Sequence, residues 1–131
     1  MDKDTFWIEH YSPTSFKCGD SHLPLPVPER IIKSVFRQLP ENLIKNIISN
    51  LDELAEVLQL KQHQITSVYN RKNHGSIASF TGKTRWQISK KADRRQKQDI
   101  WKLLHFAFYS GIGVKTTQGM GMCRVHYQGD E

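Results

Sequence analysis

Cysteine is scarce. The 131 residues hold two, Cys18 and Cys123, far apart and without a CxxC spacing. That excludes a disulfide framework and a paired-cysteine zinc module, and reduced thiols are expected. Long apolar runs are missing too. The most apolar stretch, from Ile100 to Val114, is shorter than a membrane span and is interrupted by Lys102 and His105, so no transmembrane helix is expected. The N-terminus, MDKDTFW, carries acids where a secretory signal would carry bases, and a cytoplasmic location is the default expectation. No internal repeat and no low-complexity linker stand out, and a chain of this length matches one domain with a modest core.

Acidic residues are scarce in only one part of the chain. Residues 1–60 hold 6 basic and 9 acidic side chains, residues 61–105 hold 11 and 2, and residues 106–131 hold 2 and 2. The overall charge of +6 therefore arises from a central segment of net +9. A concentration of this kind suits a polyanion, nucleic acid first, because neutralising phosphates releases condensed counterions. A solvated charged face is the bland reading of the same residues.

The segment Phe6 to Tyr11 is β-prone and is expected to end at Ser12–Pro13. A connector with prolines at 24, 26 and 28 follows. Pro28 or Glu29 can open a helix bearing Ile31, Ile32, Val35, Phe36 and Leu39, which Pro40 restarts. From Leu43 to Leu58 the apolar residues trace one helical stripe of about five turns, read as core, with a partner-binding helix as the alternative. Gln64–Arg71 reads as a strand and Ser76–Ile88 as one or two more, with Gly75 and Gly82 as turn points. A helix from about Ala92 to Ser110 and a final strand around Cys123–Tyr127 complete the order. This β-α-β-β-α-β order, with its first helix doubled, predicts an α+β sandwich of ferredoxin-like (RRM-like) type with an antiparallel sheet.

The sharpest motif is Gly111-Ile-Gly113-Val-Lys-Thr-Thr-Gln-Gly119-Met-Gly121, between a helix and a strand. Such glycines allow positive φ and leave main-chain amides uncovered for a phosphate, while Lys115 adds a cation; the plain alternative is a tight helix-to-strand turn. A dinucleotide fingerprint is excluded because Thr116 stands where a third glycine is needed. Thr81-Gly82-Lys83-Thr84 imitates the end of a phosphate-binding loop but has Ile77 in place of its first glycine, so a turn is expected there. Cys18, His22, Cys123 and His126 could be metal ligands, yet Cys123 and His126 differ by an odd number on one strand, so no metal site and no cofactor are expected. Of six histidines, His10, His22, His63, His74, His105 and His126, His74 beside Arg71 and Lys72 is the candidate general base, and a surface histidine is its ordinary reading.

The glycine loop, the segment Tyr11-Ser12-Pro13-Thr14-Ser15-Phe16-Lys17, the Pro-Leu-Pro connector and Phe80-Thr81-Gly82 resemble the C-terminal half of CRISPR-associated endoribonucleases of the RAMP superfamily. The resemblance covers roughly Phe6 to Val125. It implies a single ferredoxin-like domain, residues 1–131, matching the second of two tandem domains, and a role in cutting repeat-containing precursor RNA into guide RNAs. The cleavage it implies is metal-independent attack by a 2′-hydroxyl, leaving a 2′,3′-cyclic phosphate, with catalytic groups usually drawn from the first domain. The implied partners are CRISPR repeat RNA, an N-terminal ferredoxin-like half or effector-complex subunits; a homodimer stays open.

By the same resemblance Gly111, Gly113, Gly119 and Gly121 would meet the RNA backbone through main-chain amides. Lys115, Arg71, Lys72, Lys83 and Arg85 are RNA-binding candidates on charge alone, as a basic hairpin, with Trp86 either a stacking platform or core. A noncatalytic RNA-binding or scaffold subunit is the alternative function.

Overall fold

A computed structural model describes residues 4–71 and 76–127. Four strands form an antiparallel sheet in the order β4–β5–β1–β6, where β1 is Thr5–Thr14, β4 Leu58–Arg71, β5 Ser76–Ile88 and β6 Cys123–Tyr127. With β1 at the centre, and with one helical crossover before β4 and another before β6, this is the ferredoxin-like α+β topology. The crossover from β1 carries a two-stranded ribbon, β2 (Phe16–Cys18) with β3 (Ser21–Leu23), and then three helices: α1 (Pro28–Arg37), α2 (Glu41–Ile44) and α3 (Leu51–Val57). The return to β6 runs through α4 (Arg94–Ser110).

Alternation sets the two faces of the sheet. Phe6 and Ile8 of β1 stand beside Trp86 and Thr84 of β5 and turn inward, where Ile31 and Val35 of α1 and Ile100, Leu103 and Leu104 of α4 complete the core. Phe6 also meets Trp101 at 5.3 Å between ring centroids. Helix α4 starts where its sequence dictates: Asp93 accepts from the Gln96 amide, and the Gln96 side chain accepts from the Asp93 amide.

Several expectations need correction. The first strand runs through Pro13, and its pairing shifts between His10 and Thr14. The stripe from Leu43 to Leu58 is not one helix. It breaks after Ile44, restarts at Leu51 under an Asn50 cap, and Leu58 already belongs to β4. The break is stabilised from a distance: the buried Asp99 carboxylate accepts from the Ile48 and Ser49 amides at 3.3 and 2.9 Å. Leu54 and Leu58 enter the core, whereas Ile48 is 71% exposed.

Gly82 is no turn. It lies within β5, against the Gln64 carbonyl, where a Cβ would collide. Ser76–Ile88 is therefore one strand, and the Thr81–Thr84 segment is strand rather than turn. The ribbon β2–β3 occupies what reads as loop in the sequence. Among the described residues no helix is long and apolar enough to cross a membrane.

Candidate nucleic-acid interface

The glycine loop closes over the end of β1 and the side of α1. Gly113 N–H donates to Ser34 Oγ at 2.6 Å, Val114 N–H to the Ser15 carbonyl at 2.9 Å, Gly121 N–H to the Pro13 carbonyl at 2.9 Å, and Met122 N–H to Ser12 Oγ at 2.7 Å. Gln38 adds a side-chain tie: its Nε2 donates to the Gly111 carbonyl and its Oε1 accepts from Thr116 Oγ1. The loop and the Ser12–Ser15 segment are thus one structural unit, although about a hundred residues separate them.

This changes the part played by the glycines. Their amides do not point outward. Gly111 donates to the Ala107 carbonyl, Gly119 to the Thr116 carbonyl, and Gly113 and Gly121 as above. Among the described residues the loop's backbone hydrogen bonds do not use the amides of Lys115, Thr116 and Thr117, at the start of a short 3₁₀ turn spanning Thr116–Gln118. At Gly113, with φ +95, an added Cβ would strike the Ser15 carbonyl oxygen. At Gly119, with φ +87, nothing lies within 4 Å. Gly113 is therefore required by the protein's own packing, and Gly119 leaves an open approach to backbone. Between them, Lys115 is held exposed in the left-handed region at φ 53.

The second basic element is the sheet face opposite the helices. Lys83 and Arg85 lie there in register with Glu9 and Trp7 of β1, which are in turn opposite Arg124 and His126 of β6. Gln64 and Gln62 of β4 continue the two rows. Glu9 accepts from or pairs with His126 Nε2 at 3.1 Å, and among the described residues Lys83, Arg85 and Arg124 have no ion-pair partner. Trp7 contributes an aromatic side chain to this face. Trp86 faces the core, fully buried, with its Nε1–H donated to Thr84 Oγ1 at 2.7 Å, so of its two readings, stacking platform or core, it is core.

The predicted basic cluster is thus divided. Lys83 and Arg85 lie in the second half of β5, roughly 23 and 30 Å by strand rise from the distal end of the β4–β5 hairpin, where Arg71 is paired with Ser76. That end and the glycine loop lie toward the same end of the strands, because the Ser12–Ser15 segment holds the loop and Thr14 pairs with Phe80, four residues from Ser76. Lys72 and His74 fall outside the described residues. The proposed metal ligands do not converge: Cys123 is buried with its thiol against the Ala107 carbonyl, its pKa pushed up to about 12 by burial, and Cys18 accepts from Arg30.

The charge runs concealed a further group. Lys17 of β2 and His22 of β3 are direct cross-strand partners, and Arg30 of α1 donates through Nη1 to the Lys17 carbonyl at 3.2 Å and through Nη2 to Cys18 Sγ at 3.6 Å. The Gly19–Asp20 pair between two short β-prone stretches is the hairpin signal that would have revealed it.

The family profile of the CRISPR-associated endoribonuclease Cas6 matches residues 8–123. A Cas6 endoribonuclease of Streptococcus thermophilus is 29% identical over 128 residues, which is 95% of this chain and 52% of that protein. Two solved structures, a Cas6 (TTHA0078) product complex and Thermus thermophilus Cas6 (TTHB231), superpose with TM-scores of 0.76 at 23% and 22% identity. Each superposition covers 95% of this chain, and 52% and 54% of the respective Cas6 chains. This chain therefore spans about half the length of the relatives it matches. With its ferredoxin-like fold and a profile match over most of its length, the chain belongs to the CRISPR-associated endoribonuclease Cas6 family.

Proposed function

We infer that residues 1–131 form one ferredoxin-like unit equivalent to the C-terminal half of a Cas6 endoribonuclease, and that this unit holds CRISPR repeat RNA during processing of precursor CRISPR RNA. The observation that carries this reading is the glycine loop locked onto the Ser12–Ser15 segment, with Lys115 held exposed in the left-handed region at the start of the short 3₁₀ turn. Cations without ion-pair partners among the described residues accompany it: Lys17 and Arg30 at the loop, and, further along the sheet, Lys83 and Arg85 on the open face. Amides and ammonium groups of this kind suit a phosphodiester backbone, which carries charge at every step and needs positioning rather than base readout.

Cleavage on this reading is metal-independent and completed by a second ferredoxin-like half. A 2′-hydroxyl attack needs a general base, a general acid and cations at the scissile phosphate. The glycine-loop surface supplies cations and amides; the proton-transfer groups come from the partner half.

The test is incubation of the purified chain with a CRISPR repeat RNA in EDTA, with binding read by gel shift and cleavage on the same samples. Binding without cleavage is expected. Cleavage to cyclic-phosphate ends would place the catalytic groups in this chain and make His74 the first residue to substitute. Equal affinity for repeat and scrambled RNA would refute repeat recognition.

A further inference from the structure

Four cationic or ionisable side chains from four separate segments meet beside the glycine loop. Lys17 and His22 share one face of the β2–β3 ribbon as a directly opposed pair, so their Cβ atoms lie about 5 Å apart. Arg30 reaches the same ribbon from the first turn of α1 through the Lys17 carbonyl and the Cys18 sulfur. Lys115 comes from the loop, which the Val114 amide fastens to Ser15, two residues before Lys17. Lys17 and Lys115 are both exposed.

Like charges placed opposite one another on a ribbon are unfavourable. Among the described residues no carboxylate forms an ion pair with them. Glu29, next to Arg30, turns to Lys33 at 3.6 Å, and Asp52 pairs with the same lysine at 3.0 Å. Asp20, in the ribbon's turn, forms no ion pair among the described residues, and β5, which packs against β3, offers Lys83 and Arg85 as its charged side chains. The His22 imidazole is held below its ordinary pKa by partial burial first, and then by Lys17 and Lys115. Partial burial, followed by two lysines, disfavours the histidine's proton, and an anion placed among these side chains would offset the lysines.

We propose that Lys17, His22, Arg30 and Lys115 form a phosphate subsite that receives the RNA backbone as it leaves the glycine loop, with His22 engaging the phosphate as the imidazolium. The subsite rests on the RNA-binding reading above and adds to it a specific consequence, proton uptake on binding. In the free protein His22 is neutral near pH 7. A bound phosphodiester reverses the local field and favours its protonated form, so the RNA affinity rises as pH falls, by at most about tenfold per pH unit for one proton.

The experiment measures dissociation constants of the full chain for a repeat RNA, and for a scrambled RNA of the same length, from pH 6 to pH 8 and across a salt series. The wild type, Lys17→Ala/Lys115→Ala and His22→Gln are compared, with circular dichroism as the check of folding. The wild type should bind about three- to tenfold more tightly at pH 6 than at pH 8, and His22→Gln should flatten that dependence. The double lysine variant should lower the slope of log affinity against log salt by roughly 1 to 1.5, about equally for both RNAs. Repeat RNA bound with an unchanged pH profile in His22→Gln, or an unchanged salt slope in the double variant, would overturn the subsite and leave the RNA-binding reading standing. Absence of RNA binding by the wild type would overturn both.

Discussion

Lowering the pH from 7.5 to 5 should destabilise this protein through one buried side chain, His10. Its ring lies on the inner face of β1, edge-on to Phe80 at 5.0 Å between centroids, with Nε2 3.0 Å from Thr84 Oγ1. That hydroxyl accepts from Trp86 Nε1 and also lies 3.5 Å from the Ile8 carbonyl, so it can pair with either tautomer of the ring. Nδ1 is buried without a partner, and the cross-strand neighbour Cys123 is a thiol whose pKa is pushed up to about 12, so no anion supports an imidazolium. Burial lowers the His10 pKa from 6.5 to about 4.

The unfolded chain therefore binds the proton first as pH falls. The stability contributed by the neutral ring is complete above the unfolded value and is lost progressively from about 6.5 down to about 4. At 1.36 kcal/mol per unit, the whole window is worth on the order of 3 kcal/mol, and the part between pH 6.5 and 5 about 2 kcal/mol. Urea unfolding of the wild type and His10→Gln at both pH values isolates this contribution as the difference between their pH slopes. The wild type should lose about 2 kcal/mol more than the variant. Equal losses would refute the reasoning, and so would an NMR titration of the wild type in which the His10 ring protonates near pH 6.5 in the folded state. The NMR experiment stands even where the variant does not fold.

The glycine loop gives a paired contrast. Gly113→Ala, which drives a Cβ into the Ser15 carbonyl at φ +95, should cost more than 2 kcal/mol, whereas Gly119→Ala, in open space, should cost about 1 kcal/mol from its φ alone, both read as thermal shifts. Repeat-RNA affinity, if the approach at Gly119 is used, should fall in that variant without loss of fold. Lys115→Gly removes a left-handed non-glycine residue and should stabilise the protein by about 0.5–1 kcal/mol while weakening RNA binding, a combination that chemical denaturation and a binding titration check together. Asp99→Ala should cost about 2–4 kcal/mol, because it leaves the Ile48 and Ser49 amides and the nearby Arg95 and Lys102 without their carboxylate; a lower urea midpoint at unchanged slope would confirm it.

What the sequence made legible was whatever its own neighbours decide. Helix α4 has cap, apolar period and stop within one stretch, and β6 alternates plainly, so both were readable. The stripe from Leu43 to Leu58 was not, because helical spacing says which residues would share a face if the helix were continuous. It does not say that a carboxylate about fifty residues later will hold the Ile48 and Ser49 amides outside a helix. Gly82 failed for the same kind of reason: what demands a glycine there is the Gln64 carbonyl on the paired strand, not a change of chain direction.

The candidate site divides along the same line. The glycine spacing located the loop, and charge counting found Lys83 and Arg85, but the direction of the loop's amides depends on Ser34, Ser15 and Pro13, and so was settled by packing. Lys17 and Arg30 escaped the count because they lie in different segments of a region whose net charge is negative. The resulting arrangement has a consequence for reading such sequences. The glycine motif and the Ser12–Ser15 segment are distant in the chain yet share four hydrogen-bonded contacts, counting Ser34, so neither can change independently of the other. A substitution at Ser12 or Ser34 should move the loop's turn at Lys115 as surely as one in the loop itself, because those hydroxyls satisfy the Met122 and Gly113 amides that fix where Lys115 stands.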